Sequence, residues 1–282
     1  MDYTIKKEEN ELFSKWELFK KQSNEDFCPN GGLLFRGDFG INTEPNNKGK
    51  FTWNRMPANE EELWYKSCKR LMILTKDQND DESWDIREES GGRKHLKNNQ
   101  LPSEKELQFN GNRLFHKILS RWVFGIYEEH NGKYPSFEEV QDYKKTGLYY
   151  EKVPLVRINC KIELGSSSVD NEDLIESMNK NKSFLIEQLK MYKANIILCC
   201  GHNQKKGNVI LNFVKEHYLK DMEIVHDSGE WLYYSKDKNI IIIDSYHPSY
   251  SGVTEEWSYC ELVKNFSQSV SKKKINFLPL TE

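Results

Sequence analysis

No run of apolar residues in this chain approaches the 18 or more that a membrane helix needs, so no membrane partner is expected. The opening stretch, MDYTIKKEENELF, mixes both signs of charge and holds no apolar segment. A secretory signal is therefore not expected there, and the expected location is cytoplasmic. Cysteine is sparse, with six residues at 28, 68, 160, 199, 200 and 260, and they form neither a CxxC pair nor metal-ligand spacing. Reduced thiols are the expectation, with no disulfide framework, no metal site and no cofactor. An excess of positive charge is missing too: 41 Lys and Arg face 44 Asp and Glu, a formal net charge of −3. That excludes a strongly basic coat for nucleic acid. It leaves room for a local cleft where a few basic side chains and backbone N–H groups meet phosphates. There is no internal repeat.

What is present fits one large domain over residues 1–282 with a sizeable insertion. Hydrophobic residues make up 37% and charged residues 30%, enough for a core under a polar surface. Aromatics at 12% suit base stacking and an ordinary core equally well.

Along the chain, Leu12, Phe13, Trp16, Leu18 and Phe19 recur at helical spacing within residues 1–25. GGLLFRGDFG (31–40) reads as a short strand, Leu33 to Arg36, running into a Gly-rich turn. Residues 61–75 carry helical periodicity, and 76–110 are polar enough for a long loop. Helices are expected over 112–129, 136–145, 172–193, the segment NQKKGNVILNFVKEHYL, and the tail from Glu255 to about Val270. Strands are expected at 153–164, 194–201, EWLYYS as an edge strand, and NIIIID. Short apolar strands separated by helices predict a three-layer α/β/α sandwich around a mostly parallel sheet.

In such sheets ligands lie beyond the carboxyl ends of the strands. Three stretches would end strands there with polar groups: Gly37-Asp38-Phe39-Gly40, Asn159, and His247-Pro248-Ser249. The last is the most telling. Ile240 to Ile243 form the most apolar run of the chain, and it delivers a histidine, a proline that stops pairing, and small hydroxyl residues.

In order, LLFRGDFGI, GKFTWNRM with ELWYKSCKRL, VRINCKI, IILCCG and SYHPSYSG resemble the parts of the uracil-DNA glycosylase superfamily, closest in layout to its family-4 branch. The likeness covers residues 30 to about 255, without 76–150. It implies a DNA glycosylase that flips a pyrimidine out of DNA and hydrolyses its N-glycosidic bond, acting as a monomer on DNA in base-excision repair. Asp38 would stabilise the sugar cation and orient water, and His247 would donate to the departing base. Asn159 would read the base edge, with Phe39, Gly40 and Phe51 lining the pocket. Pro248, Ser249 and Ser251 would meet the DNA backbone. Each residue also has a plain reading: Asp38 as a turn former, Asn159 as a satisfied buried amide, His247 as structural, Phe51 and Trp53 as loop anchors.

The chain departs from the pattern in three ways. The first turn lacks Pro-Gly, and GIN (40–42) offers Asn42 as an alternative water-positioning residue, resembling the mismatch-specific branch. Only Cys28 lies near the N-terminus, so the family-4 iron–sulfur cluster is not expected. Residues 76–150 form an insertion, read as helical decoration or as a lid for an enlarged base such as a hypermodified cytosine of viral DNA. The alternative from another class is a non-catalytic nucleotide- or DNA-binding module on the same fold.

Overall fold

The computed structural model describes residues 3–25, 27, 29–34, 38–41, 51–54, 60–76, 113–163, 170–204, 207–225 and 231–280; for 38–41 and 51–54 it describes the backbone alone. Four strands carry the architecture: β4 (Leu71–Thr75), β5 (Leu155–Asn159), β6 (Ile196–Cys200) and β11 (Ile240–Ser245). Every residue of the four is buried. A strand buried on both faces reads as a continuous apolar run and requires helices on both sides. The four lie parallel in the order β5-β4-β6-β11. Antiparallel strands close both ends: β1 (Gly31–Leu33) beside β5, and β10 (Leu232–Ser235) then β9 (Glu223–Ile224) beyond β11, while β7 (His202–Asn203) and β8 (Gly207–Asn208) form a separate short pair. The protein is therefore an α/β fold on a seven-stranded, mostly parallel mixed sheet. No helix among the described residues is long and apolar enough to cross a membrane.

One face of the sheet packs against α1 (Ile5–Gln22), α2 (Glu60–Lys66), α5 (Asn171–Lys180), α6 (Lys182–Met191) and α7 (Val209–His217). The other packs against α3 (Arg113–Tyr127), α4 (Tyr143–Lys152) and α8 (Glu255–Lys273). In α3, Leu119, Val123 and Ile126 are fully buried against Leu71, Ile73, Ile196 and Ile241 of the sheet. Each contributes roughly 1.5–3 kcal/mol. Buried Lys69 donates to the Ile126 carbonyl at 2.8 Å and pairs with Glu129 at 3.1 Å, tying the end of α3 to the lead-in of β4. The described part of the 76–150 insertion is thus a layer of the sandwich. A linker replacing it would remove α3 and most of α4 from a face on which, of the described helices, only α8 would remain.

Several expectations are corrected. Residues 61–75 are not one helix: α2 ends at Lys66, and Leu71–Thr75 is a central strand. A continuous apolar run such as LMILT satisfies both periods, and burial decided for the strand. The expected strand Leu33–Arg36 lies earlier, at Gly31–Leu33, and runs antiparallel to β5. Gly31 permits this, with φ +118° and a position where a Cβ would sit 2.1 Å from the Arg157 carbonyl oxygen. Helix 172–193 breaks at Asn181, whose Nδ2 donates to the Ser177 carbonyl at 2.9 Å while its Oδ1 accepts from Trp16 at 3.0 Å. EWLYYS is not an edge strand, because β9 covers it. Between 136 and 145 only a 3-10 turn (Glu138–Val140) precedes α4.

Candidate active site

In sequence order the four parallel strands run β4, β5, β6, β11, but in space β4 has β5 on one side and β6 on the other. The connection therefore reverses direction beside β4, and ligands bind beyond the carboxyl ends at such a point. Thr75-Lys76, Asn159, Gly201-His202 and Tyr246-His247 stand at those ends.

Asn159 is fully buried and pairs in register with Thr75 of β4. Its backbone N–H donates to the Asn30 carbonyl at 2.7 Å, and its carbonyl accepts from Asn30 Nδ2 at 2.9 Å. The Thr75 hydroxyl donates to Asn159 Oδ1, which fixes the amide's orientation. The Nδ2 group is buried and finds no partner among the described residues. An unpaired buried donor costs about 1–3 kcal/mol, so it calls for an acceptor.

His247 opens a tight turn in which Tyr250 N–H donates to its carbonyl at 2.8 Å. The Ser249 N–H donates to His247 Nδ1 at 3.2 Å, so the neutral ring carries its proton on Nε2. Burial, and then the charges of Arg157 and Lys76, hold the imidazole's pKa down at about 4. At neutral pH it is an uncharged donor. Phe115 of α3 packs on it at 5.3 Å between ring centroids. Pro248 is buried within the turn, which leaves half-buried Ser249 with exposed Tyr250 and Ser251 as the surface side chains here.

The remaining expected residues are not brought to this edge by the strand expected to carry them. β1 delivers the chain through Leu34, whose N–H donates to the Leu155 carbonyl at 2.9 Å, to the amino end of β5. Asp38, Phe39 and Gly40 lie in β2 (Asp38–Ile41), not in a turn, and Phe51 lies in β3 (Phe51–Asn54). These two strands form a hairpin of their own with Asp38 opposite Asn54, and their side chains lie outside the description. Asn42 lies outside the described residues altogether. In sequence, the residue that follows Lys76 at the end of β4 is Asp77, also outside the described residues.

Sequence reasoning missed Thr75, Phe115, Arg157 and a second polar cluster. Asp244 of β11 accepts from Asn208 Nδ2 at 2.6 Å and lies 2.9 Å from His202 Nδ1. Its pKa is raised, because burial outweighs those two partners. Trp231 and Tyr246 pack on the His202 ring at 4.6 and 4.9 Å. A cavity between Trp231, Tyr246, Trp257 and Asn265 measures about 30 Å³, room for about two waters and too small for a base. Among the described residues no cluster of His, Cys, Asp or Glu could hold a metal ion.

No protein-family model matches the chain, and no curated protein is detectably similar to it in sequence.

Proposed function

We propose that the protein is a DNA glycosylase of the uracil-DNA glycosylase type, hydrolysing the N-glycosidic bond of a flipped-out uracil or modified pyrimidine. The observation that carries this reading is the pairing of an unspent buried amide, Asn159 Nδ2, with an uncharged His247 at one carboxyl edge. Because Thr75 occupies Oδ1, the amide offers hydrogens, which match an oxygen acceptor on the base better than an amino group. In the reaction the bond from C1′ to the base nitrogen breaks, and its electron pair leaves with the base. The Nε2–H of His247 donates to the base oxygen where that charge accumulates. Water adds to C1′, and its proton passes to a carboxylate.

Two residues compete for the carboxylate role: Asp38, and Asp77 directly after the β4 end in sequence. The test incubates the purified protein with uracil-containing and with glucosylated phage DNA, followed by alkaline cleavage at abasic sites. Strand breaks in either are expected, and Asp38→Asn or Asp77→Asn should lower them by at least about 10²-fold, identifying the carboxylate. Intact strands on every substrate, with DNA still bound, would favour the non-catalytic binding module instead.

A further inference from the structure

Alternation along β5 turns Leu155, Arg157 and Asn159 to the face covered by α3, while Val156 and Ile158 join the opposite core. Arg157 is 6% exposed, which is unusual for a guanidinium on a central parallel strand. Its Cζ lies over the Phe115 ring, 4.7 Å from the centroid. The same ring packs against His247 at 5.3 Å. One aromatic side chain thus stands between a fixed cation and the imidazole.

We propose that Arg157 is a positioning residue of this site: its buried charge keeps Nδ1 of His247 an acceptor, which locks the His247-Pro248-Ser249 turn and leaves Nε2–H as the donor. The physical reason lies in the turn itself. Nδ1 receives the Ser249 N–H, so a proton placed on Nδ1 would set two donors face to face and break the turn. A cation one ring away makes that proton unfavourable. The other groups facing His247 among the described residues are Lys76 beyond β4 and, across Phe115, His116 of α3. Lys76 acts in the same direction as Arg157. His116 is itself held neutral, its pKa lowered to about 3 by burial and then by Arg157.

The test follows the His247 ring by 15N-edited NMR across a pH titration of the full chain, without DNA. Wild-type protein should titrate near 4. In Arg157→Met the titration should move upward yet stay below 6.5, since burial, the larger cause, remains. Arg157→Lys keeps the charge and should stay near the wild-type value. Met keeps the length and apolar body of the side chain and removes its charge. If that variant does not fold, Arg157→Gln carries the same expectation. A folded neutral variant in which His247 titrates as in wild type overturns the proposal.

The kinetic arm rests on the glycosylase reading. Excision by Arg157→Met should fall by about two- to eightfold between pH 7 and 5.5 while wild type stays nearly flat, with kcat changing and KM for DNA unchanged. A shifted titration without excision by any form sinks the glycosylase reading and leaves Arg157's role standing. Excision with an unmoved titration does the reverse.

Discussion

Two polar clusters sit at the carboxyl edge of the same sheet, on opposite faces, and they treat their hydrogen-bonding capacity differently. On the α7 face the carboxylate and the amide are committed on both sides. Asp244 takes Asn208 on one oxygen and His202 on the other, while Asn208 also donates to the Cys199 carbonyl and caps α7 by accepting from Ile210 and Leu211. On the α3 face, Asn159 keeps its amide hydrogens in reserve and His247 has only Nδ1 engaged by the turn. Both clusters contain a histidine. A satisfied network rigidifies its surroundings, whereas donors left unspent in a dry place cost stability and persist where a ligand uses them. The contrast teaches which amide to follow.

The sharpest way to break the contrast is to exchange the consequences. His247→Ala should lower excision by about 10²–10³-fold while costing only about 1 kcal/mol of stability through the lost Ser249 hydrogen bond, read by alkaline cleavage and urea denaturation. Asn159→Asp should change which base is released or abolish release, because a wrong base leaves buried polar groups unpaired. Unaltered rate and preference in that variant would take Asn159 out of the pocket.

Acid should act next. The folded-state pKa values of His247 and His116, about 4 and about 3, lie below the ordinary imidazole value. Their neutral forms therefore favour folding above pH 6.5, and that contribution is lost as pH falls toward 4. Unfolding would take up protons across this window, costing roughly 4 kcal/mol by pH 5. Asp244 has the opposite sign, with a raised value whose contribution is present at low pH and fades as pH rises. Urea midpoints at pH 7, 6 and 5 check this, and a flat series would contradict the burial of both imidazoles.

Asp244→Ala should behave as the mirror image of His247→Ala. Stability should drop by about 2 kcal/mol, since His202 and Asn208 lose their acceptor, while excision per folded molecule changes by less than about fivefold. Lost excision at unchanged stability would move chemistry to the α7 face. The smallest effect belongs to exposed Ser251, whose replacement by Ala should weaken DNA binding by no more than about threefold in a salt-dependent titration.

Much of this was legible beforehand. The β-branched runs at 155–159, 196–200 and 240–245 gave three central strands, and the helical spacing of 113–127 and 255–273 gave two covering helices. Asn159 and His247 stood at strand ends and could be picked out there. The fourth parallel strand was hidden because Ser67-Cys68-Lys69-Arg70, between α2 and β4, contains no Gly, Pro or Asn to mark a break. The direction of β1 was hidden as well, since a three-residue apolar stretch carries no sign of its partner's orientation. With it went only the expected route, by which that strand would carry Asp38 to the site edge. Phe115 and Arg157 lie about 40 residues apart in sequence, and only the packed sheet makes them neighbours.

The two stubs at the ends of the sheet have a consequence for behaviour at high concentration. A flat, long, unpaired strand edge invites pairing with another molecule and seeds aggregates. Here the parallel interior ends on one side in antiparallel β1, of three residues, and on the other in antiparallel β10 followed by β9, of two. Among the described residues, a neighbouring molecule is offered a ladder two or three residues long, with Glu223 in the shorter of them. Lengthening either stub with alternating Val and Thr would turn a capped sheet into one that templates fibres.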